Sequence, residues 1–125
     1  MKAEMTSRER VLAAINHQPT DRVPTDYWGV PEMNPLQWHL PGWNLAKAKG
    51  DFGDKVCFHG GVDNQEVLPF KGPEEVRKEV RACMDALYAD KTGYILAPCH
   101  NVQAITPVEN VLAMYDEARA YSRNF

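Results

Sequence analysis

No apolar stretch in this chain approaches the roughly 20 residues that a bilayer crossing needs, so a membrane-spanning protein is not expected. The opening residues, Met1 to Arg10, are polar and charged with no apolar h-region, so no secretory signal is expected either. Cysteine is scarce. Cys57, Cys83 and Cys99 are odd in number and contain no Cys-x-x-Cys pair. That fits a reduced, cytoplasmic protein better than a disulfide scaffold. A basic excess is also missing: the net charge is -3, where a nucleic-acid binder would show a cationic face. There is no internal repeat and no low-complexity tract.

What remains is ordinary globular composition, 125 residues long, enough for one domain with a modest core. Proline and glycine are spread along the chain and act as local punctuation.

The amino end opens with Thr6-Ser-Arg-Glu9, a capping box. Val11, Leu12 and Ile15 follow at helical spacing with Ala14 beside them, which predicts a helix from Ser7 to Asn16 that stops before Pro19. Thr20-Asp21 reads as a turn. Arg22 to Trp28 reads as a strand whose pairing Pro24 limits on one side. Pro31 to Gly42 shows no clear period, and Asn34-Pro-Leu-Gln-Trp38 resembles the end of a strand whose beginning is missing. Asn44 is placed to cap a short helix carrying Leu45, Ala48 and Phe52 on one side.

The second half reads strand, helix, strand, helix. Lys55 to Gly61 is the first of these strands, followed by Asp63, Asn64 and Gln65, and Glu66 to Lys71 reads as loop. Pro73, Glu74 and Glu75 open a helix at its positive end. Its stripe is Val76, Val80, Cys83, Met84 and Leu87. Tyr94 to Ala97, between Gly93 and Pro98, suits a strand covered on both faces. Thr106-Pro-Val-Glu109 forms a second capping box. The helix behind it carries Val108, Val111, Leu112, Tyr115 and Ala118, and Met84, Met114 and Tyr115 read most simply as core. Parallel strands with crossover helices are the default for this order, and in such folds chemistry gathers outside the carboxyl ends of strands. Cys99, His100 and Asn101 stand at one such end.

Several of these segments, taken in order, resemble the uroporphyrinogen decarboxylase superfamily. They are Phe58-His-Gly-Gly-Val-Asp-Asn-Gln65, Leu68-Pro-Phe-Lys-Gly-Pro-Glu-Glu-Val76, Gly93 to Gln103 and Thr106-Pro-Val-Glu-Asn110. Thr6 to Leu12, His17 to Pro24 and Asp26-Tyr-Trp-Gly29 look like the family's amino end. The superfamily includes the decarboxylase of haem biosynthesis and cobalamin-dependent methyltransferases. The resemblance implies an α/β fold, the TIM (β/α)8 barrel, which typically takes about 250 residues. This chain has roughly half that. It implies one incomplete domain over 1–125: an amino-end piece, 1–33, with the opening helix and first strand, and a carboxyl-end piece, 34–125, with the last two strand–helix units. The middle of the barrel is absent, with a junction near Met33-Asn34.

His100 is the foremost site candidate. By its offset from Thr106-Pro107 the resemblance matches it to a histidine in the decarboxylase cleft and to a zinc-binding cysteine in the methyltransferases. A histidine there can hydrogen-bond a substrate carboxylate or ligate a metal; the plainer reading is a turn histidine bonded to local backbone. His59, Asp63, Asn64 and Asn101, with Asp26 and Tyr27 at the end of the first strand, are the expected substrate-binding residues. Gln65 is a further polar liner, against the alternative of a solvated loop. Cys99 reads as a small, half-buried residue, and Gly60-Gly61 as a tight turn or close backbone approach.

His100 and His59, with Asp63, are the only candidates offered for zinc, and the family's other zinc ligands lie in the missing middle. His17, His39, His59 and His100 all lack a Cys two residues on. The Gln-Ala-Gly-Arg segment with which the decarboxylase binds carboxylates is replaced by Asp26-Tyr-Trp-Gly-Val-Pro-Glu32. That departure moves weight toward the methyltransferase-like branch, in which zinc and a corrinoid partner take part. Neither catalytic set is whole. The expectation is therefore a family member that acts on a small-molecule substrate when intact and is inactive as this short chain. The alternatives are a non-enzymatic interaction module, self-associating or docked on a full-length paralogue, and a non-functional deletion product.

Overall fold

The computed structural model describes residues 4–25 and 44–125. Asp26, Tyr27 and Trp28, and the junction near Met33-Asn34, lie outside the described residues.

Helix α1 (Ser7–Ile15) forms with the capping box read from sequence. Thr6 Oγ1 accepts from the Glu9 amide at 3.2 Å, and the Glu9 carboxylate accepts from the Thr6 amide at 2.8 Å. Its buried face differs from the expected stripe. Leu12 and Ile15 are exposed, while Arg10 and Ala14 are buried. The reason is electrostatic. Arg10 Nε donates to Asp21 Oδ1 at 2.6 Å, and Nη2 donates to Asp21 Oδ2 and the Met5 carbonyl, so its charge is paired where it is covered.

Helix α2 (Leu45–Phe52) is capped by Asn44, whose Oδ1 accepts from the Lys47 amide at 3.0 Å. Ala48 is buried, but Phe52 is exposed, against the one-sided stripe expected. Strand β1 covers Phe58–Val62, three residues later at its start than the sequence suggested. The Lys55 and Val56 amides instead turn back to the Phe52 carbonyl at 2.9 and 3.0 Å. A short helix, α3 (Val67–Phe70), replaces the loop expected at Glu66 to Lys71. Leu68 and Pro69 are buried there, and Pro69 costs no hydrogen bond in so short a turn.

Helix α4 (Pro73–Leu87) buries the stripe expected of it: Val76, Val80, Cys83, Met84 and Leu87. Strand β2 (Tyr94–Pro98) is buried at every position. Each large apolar side chain so covered is worth about 1.5–3 kcal/mol relative to exposure. β1 and β2 pair in parallel, with Phe58 opposite Tyr94 and Val62 opposite Pro98. The fold class is thus mixed α/β with a small parallel sheet, and α4 is the crossover between its two strands. Thr25 adds an isolated parallel bridge to Leu96 on the other side of β2.

Helix α5 (Val108–Tyr121), followed by a 3-10 turn at Ser122–Asn124, departs most from expectation. Pro107 is its N-cap, and no side chain caps it. Thr106 Oγ1 is buried without a partner among the described residues, so the second capping box does not form. Val108 and Leu112 are exposed, whereas Asn110, Ala113, Met114, Glu117 and Ala118 are buried. Two polar residues turn the helix this way. Asn110 Nδ2 donates to the Leu68 and Lys71 carbonyls at 2.8 and 2.7 Å, and Glu117 Oε1 accepts from Arg81 at 2.6 Å. No described helix is long and apolar enough to cross a membrane.

Candidate functional site

The two parallel strands end side by side, so the loops that leave them share one edge of the sheet. The Cys99 amide donates to the Val62 carbonyl at 2.8 Å, which carries the pairing one step beyond β2. Asp63-Asn64 leaves β1 there, and Cys99-His100-Asn101 leaves β2. Five of the residues read as site candidates are therefore neighbours.

The β1 end is made tight by its glycines. Gly60 and Gly61 have φ of +98° and +105°, backbone that L side chains rarely adopt. A Cβ on Gly60 would meet the Pro98 carbonyl oxygen at 3.3 Å, so the close approach read from Gly60-Gly61 is to β2 itself. Asp63 then starts a turn. Its Oδ1 accepts from the Gln65 and Glu66 amides at 2.7 and 3.2 Å, and its carbonyl accepts from Leu68 at 2.9 Å. Asp63 is 7% exposed, and this arrangement occupies at least one of its carboxylate oxygens with local backbone. Gln65 is exposed.

Asn64 reaches across. Cys99 Sγ donates to Asn64 Oδ1 at 2.9 Å, and Asn64 Nδ2 donates to the Asn101 carbonyl at 3.0 Å. Burial raises the Cys99 thiol above its usual range, and the neighbouring Asp63 charge adds to this, so at neutral pH the thiol remains a hydrogen-bond donor. Cys99 is half-buried, as expected of it.

His100 is half-buried, and its Nε2 is fully covered without a hydrogen-bond partner among the described residues. Buried polar atoms are nearly always paired, and one left over at a strand's carboxyl end is suited to a ligand atom. An imidazole there can donate to, or take a proton from, a carboxylate. His59 lies on β1 opposite Ile95 and is exposed. Asp26 and Tyr27 fall outside the described residues.

Among the described residues a zinc site does not fit. Among the described residues no three His, Cys, Asp or Glu side chains come together in a way that could hold a metal ion. Asp63 and His100 lie at the carboxyl edge of the sheet, whereas His59 lies near the amino end of β1, so the expected grouping of the three does not form.

Sequence reading missed the link between Asn64, Cys99 and Asn101. No local pattern encodes it, because it depends on the register of β1 against β2. It also missed the unpaired Thr106 hydroxyl, since the motif around it satisfies a capping rule that the backbone does not follow.

The family model described as uroporphyrinogen decarboxylase (URO-D) matches residues 37–121. The chain is similar to the uroporphyrinogen decarboxylase of Paraburkholderia phytofirmans, 35% identical over 88 residues, which is 70% of this chain and 22% of that protein. It is similar to the proteins of the same name from Paraburkholderia xenovorans, at 34%, and Burkholderia mallei, at 31%, with the same coverage. The matched segment thus spans about a fifth of these relatives (22% of their length). No solved structure matches the chain.

Proposed function

This chain belongs to the uroporphyrinogen decarboxylase family, and from that premise we propose that it carries the closing portion of a decarboxylase-type substrate site, with His100 as the group that meets substrate. The observation that carries this reading is the covered Nε2 of His100, without a hydrogen-bond partner among the described residues, beside the β1 and β2 ends. Its natural counterpart is a carboxylate of a small organic acid, a tetrapyrrole with acidic side chains in the relatives' case. Nε2–H would hold such a group by a charge-assisted bond and would be placed to move a proton as carboxylate is lost.

In the same reading the chain is an incomplete barrel, with 1–33 as its opening piece and 34–125 as its last two strand–helix units. The bridge between Thr25 and Leu96 supports it, since a closing barrel sets its first strand beside its last. The middle strands, which would supply the other carboxylate-binding groups, have no counterpart here, and the chain alone is expected to be inactive. The methyltransferase-like alternative would take zinc and a corrinoid partner, with the remaining zinc ligands supplied by the missing middle. Three unpaired cysteines suit a reducing, cytoplasmic setting.

The test is anaerobic incubation of the purified chain with uroporphyrinogen, following carboxylate loss by chromatography. No product is expected from the chain alone, and equilibrium binding of the tetrapyrrole should weaken in His100→Ala. Turnover by the chain alone would overturn its incompleteness, and binding indifferent to His100→Ala would overturn the role of that residue.

A second reading has an observation of its own. Among the described residues β1 has a strand neighbour on one side only, and an open parallel edge invites another chain. A second copy, or a full-length paralogue, would then supply the missing neighbour. Light scattering distinguishes this: a folded monomer at all concentrations, unaffected by a paralogue, removes it.

A further inference from the structure

We infer that Asn64 is a positioning residue for His100, its carboxamide holding the chain on both sides of that histidine. This rests on the reading of His100 as the substrate-facing group and adds to it the device that fixes where His100 sits.

The geometry is specific. Asn64 is 4% exposed and stands just past β1, on the neighbouring loop. Its Oδ1 accepts from the thiol of Cys99, and its Nδ2 donates to the carbonyl of Asn101. One planar group therefore touches the residue before His100 and the residue after it. The orientation of the amide is determined by its partners. A carbonyl can only accept, so the nitrogen must face Asn101; the oxygen then faces Cys99, whose thiol must donate.

The chemistry explains why asparagine stands here and aspartate beside it. Asp63 needs only acceptors, because it meets the amides of Gln65 and Glu66. Asn64 needs one acceptor and one donor. An aspartate at 64 would set a carboxylate oxygen against the Asn101 carbonyl, two acceptors facing each other under burial. Cys99 enters the same device. It needs a side-chain donor, and burial keeps its thiol protonated at neutral pH. Its own amide is held by the Val62 carbonyl, so the loop is tied to β1 by backbone and by side chain.

A merely structural asparagine would stabilise the two loops without governing the histidine ring, and the experiment separates the two cases. The full chain is labelled with carbon-13 and nitrogen-15, and the His100 ring signals and the amide exchange of residues 99–101 are followed. In the wild type His100 should give one narrow set of ring signals. In Asn64→Asp the set should broaden or double, and the amides of His100 and Asn101 should exchange about tenfold faster. Cys99→Ala removes one arm without touching Asn64 and should move the same signals less, while Cys99→Ser, which keeps a donor, should restore them. If Asn64→Asp does not fold, the two Cys99 variants carry the comparison alone. Ring signals of His100 that stay fixed in Asn64→Asp and in Cys99→Ala overturn the inference. Tetrapyrrole binding that ignores His100→Ala, with the ring still freed by Asn64→Asp, overturns the substrate role and leaves the positioning role standing.

Discussion

Thr25 lies beside Leu96 as a parallel bridge, and the Leu96 amide donates to the Pro24 carbonyl at 2.9 Å. The amino end of the chain is thereby attached to the strand that leads into Cys99, His100 and Asn101. The attachment continues outside the sheet, where the Val23 amide donates to Ser122 Oγ at 3.1 Å and the Thr20 hydroxyl lies 2.7 Å from that of Tyr88.

Ser122→Ala tests how much this attachment matters. It leaves the Val23 amide buried without its acceptor, a penalty of about 1–3 kcal/mol. The urea midpoint should fall accordingly, with protease sensitivity rising in residues 4–25. An unchanged midpoint and unchanged cleavage would mean that the amino end adds nothing to the fold.

Acid should loosen the same region. Arg10 beside Asp21 holds the Asp21 carboxyl down at about 2, from the 3.8 expected without that partner. The folded value lies below the unfolded one, so the stabilisation is fully present above pH 3.8 and is lost as pH falls from there through 2. Asp21→Asn should flatten that part of the stability–pH curve. It should also cost about 2 kcal/mol at pH 7, since Arg10 is 3% exposed and keeps its charge. An identical curve in variant and wild type, measured by denaturant midpoints from pH 2 to 6, would contradict the pairing.

Gly60→Ala should cost about 1–3 kcal/mol through backbone strain. At φ +98° the new methyl must also sit 3.3 Å from the Pro98 carbonyl oxygen, in the pairing edge of β2. Circular dichroism melts measure the loss; a variant as stable as wild type would show that β1 can relax to ordinary strand geometry.

Thr106→Val gives opposite signs for the two views of that position. A capping threonine would cost about 1 kcal/mol on removal. Here the hydroxyl is buried without a partner among the described residues, so a methyl in its place should leave the melting midpoint equal or higher. A clear drop would restore the capping role.

Legibility in the sequence followed locality. β2 was readable because Gly93 and Pro98 bound an unbroken apolar run, and α4 because every residue it buries is apolar or Cys83. The buried faces of α1 and α5 were not, because Arg10, Asn110 and Glu117 are buried through partners distant in sequence or on other elements. No period in hydrophobicity reports such residues, and Val108 and Leu112 lie exposed in consequence. For the site, the strand-end rule was enough to bring Asp63, Asn64, Cys99, His100 and Asn101 together. It could not say what each touches, because the Asn64 bridge exists only once Val62 is set opposite Pro98.

The hydrogen bonds of the amino end also set an order of events on the ribosome. Ala14, Thr20, Val23 and Pro24 leave the exit tunnel early, yet their partners Gly93, Tyr88, Ser122 and Leu96 are made only after helix α4. Until then the nascent segment has its capped helix and the Arg10–Asp21 pair to hold it. Such long-range closures form late and slowly. Docking of the amino end must therefore wait until β2 and α5 have been made, and a chain stalled before Tyr88 should display its first 25 residues to chaperones and proteases alike.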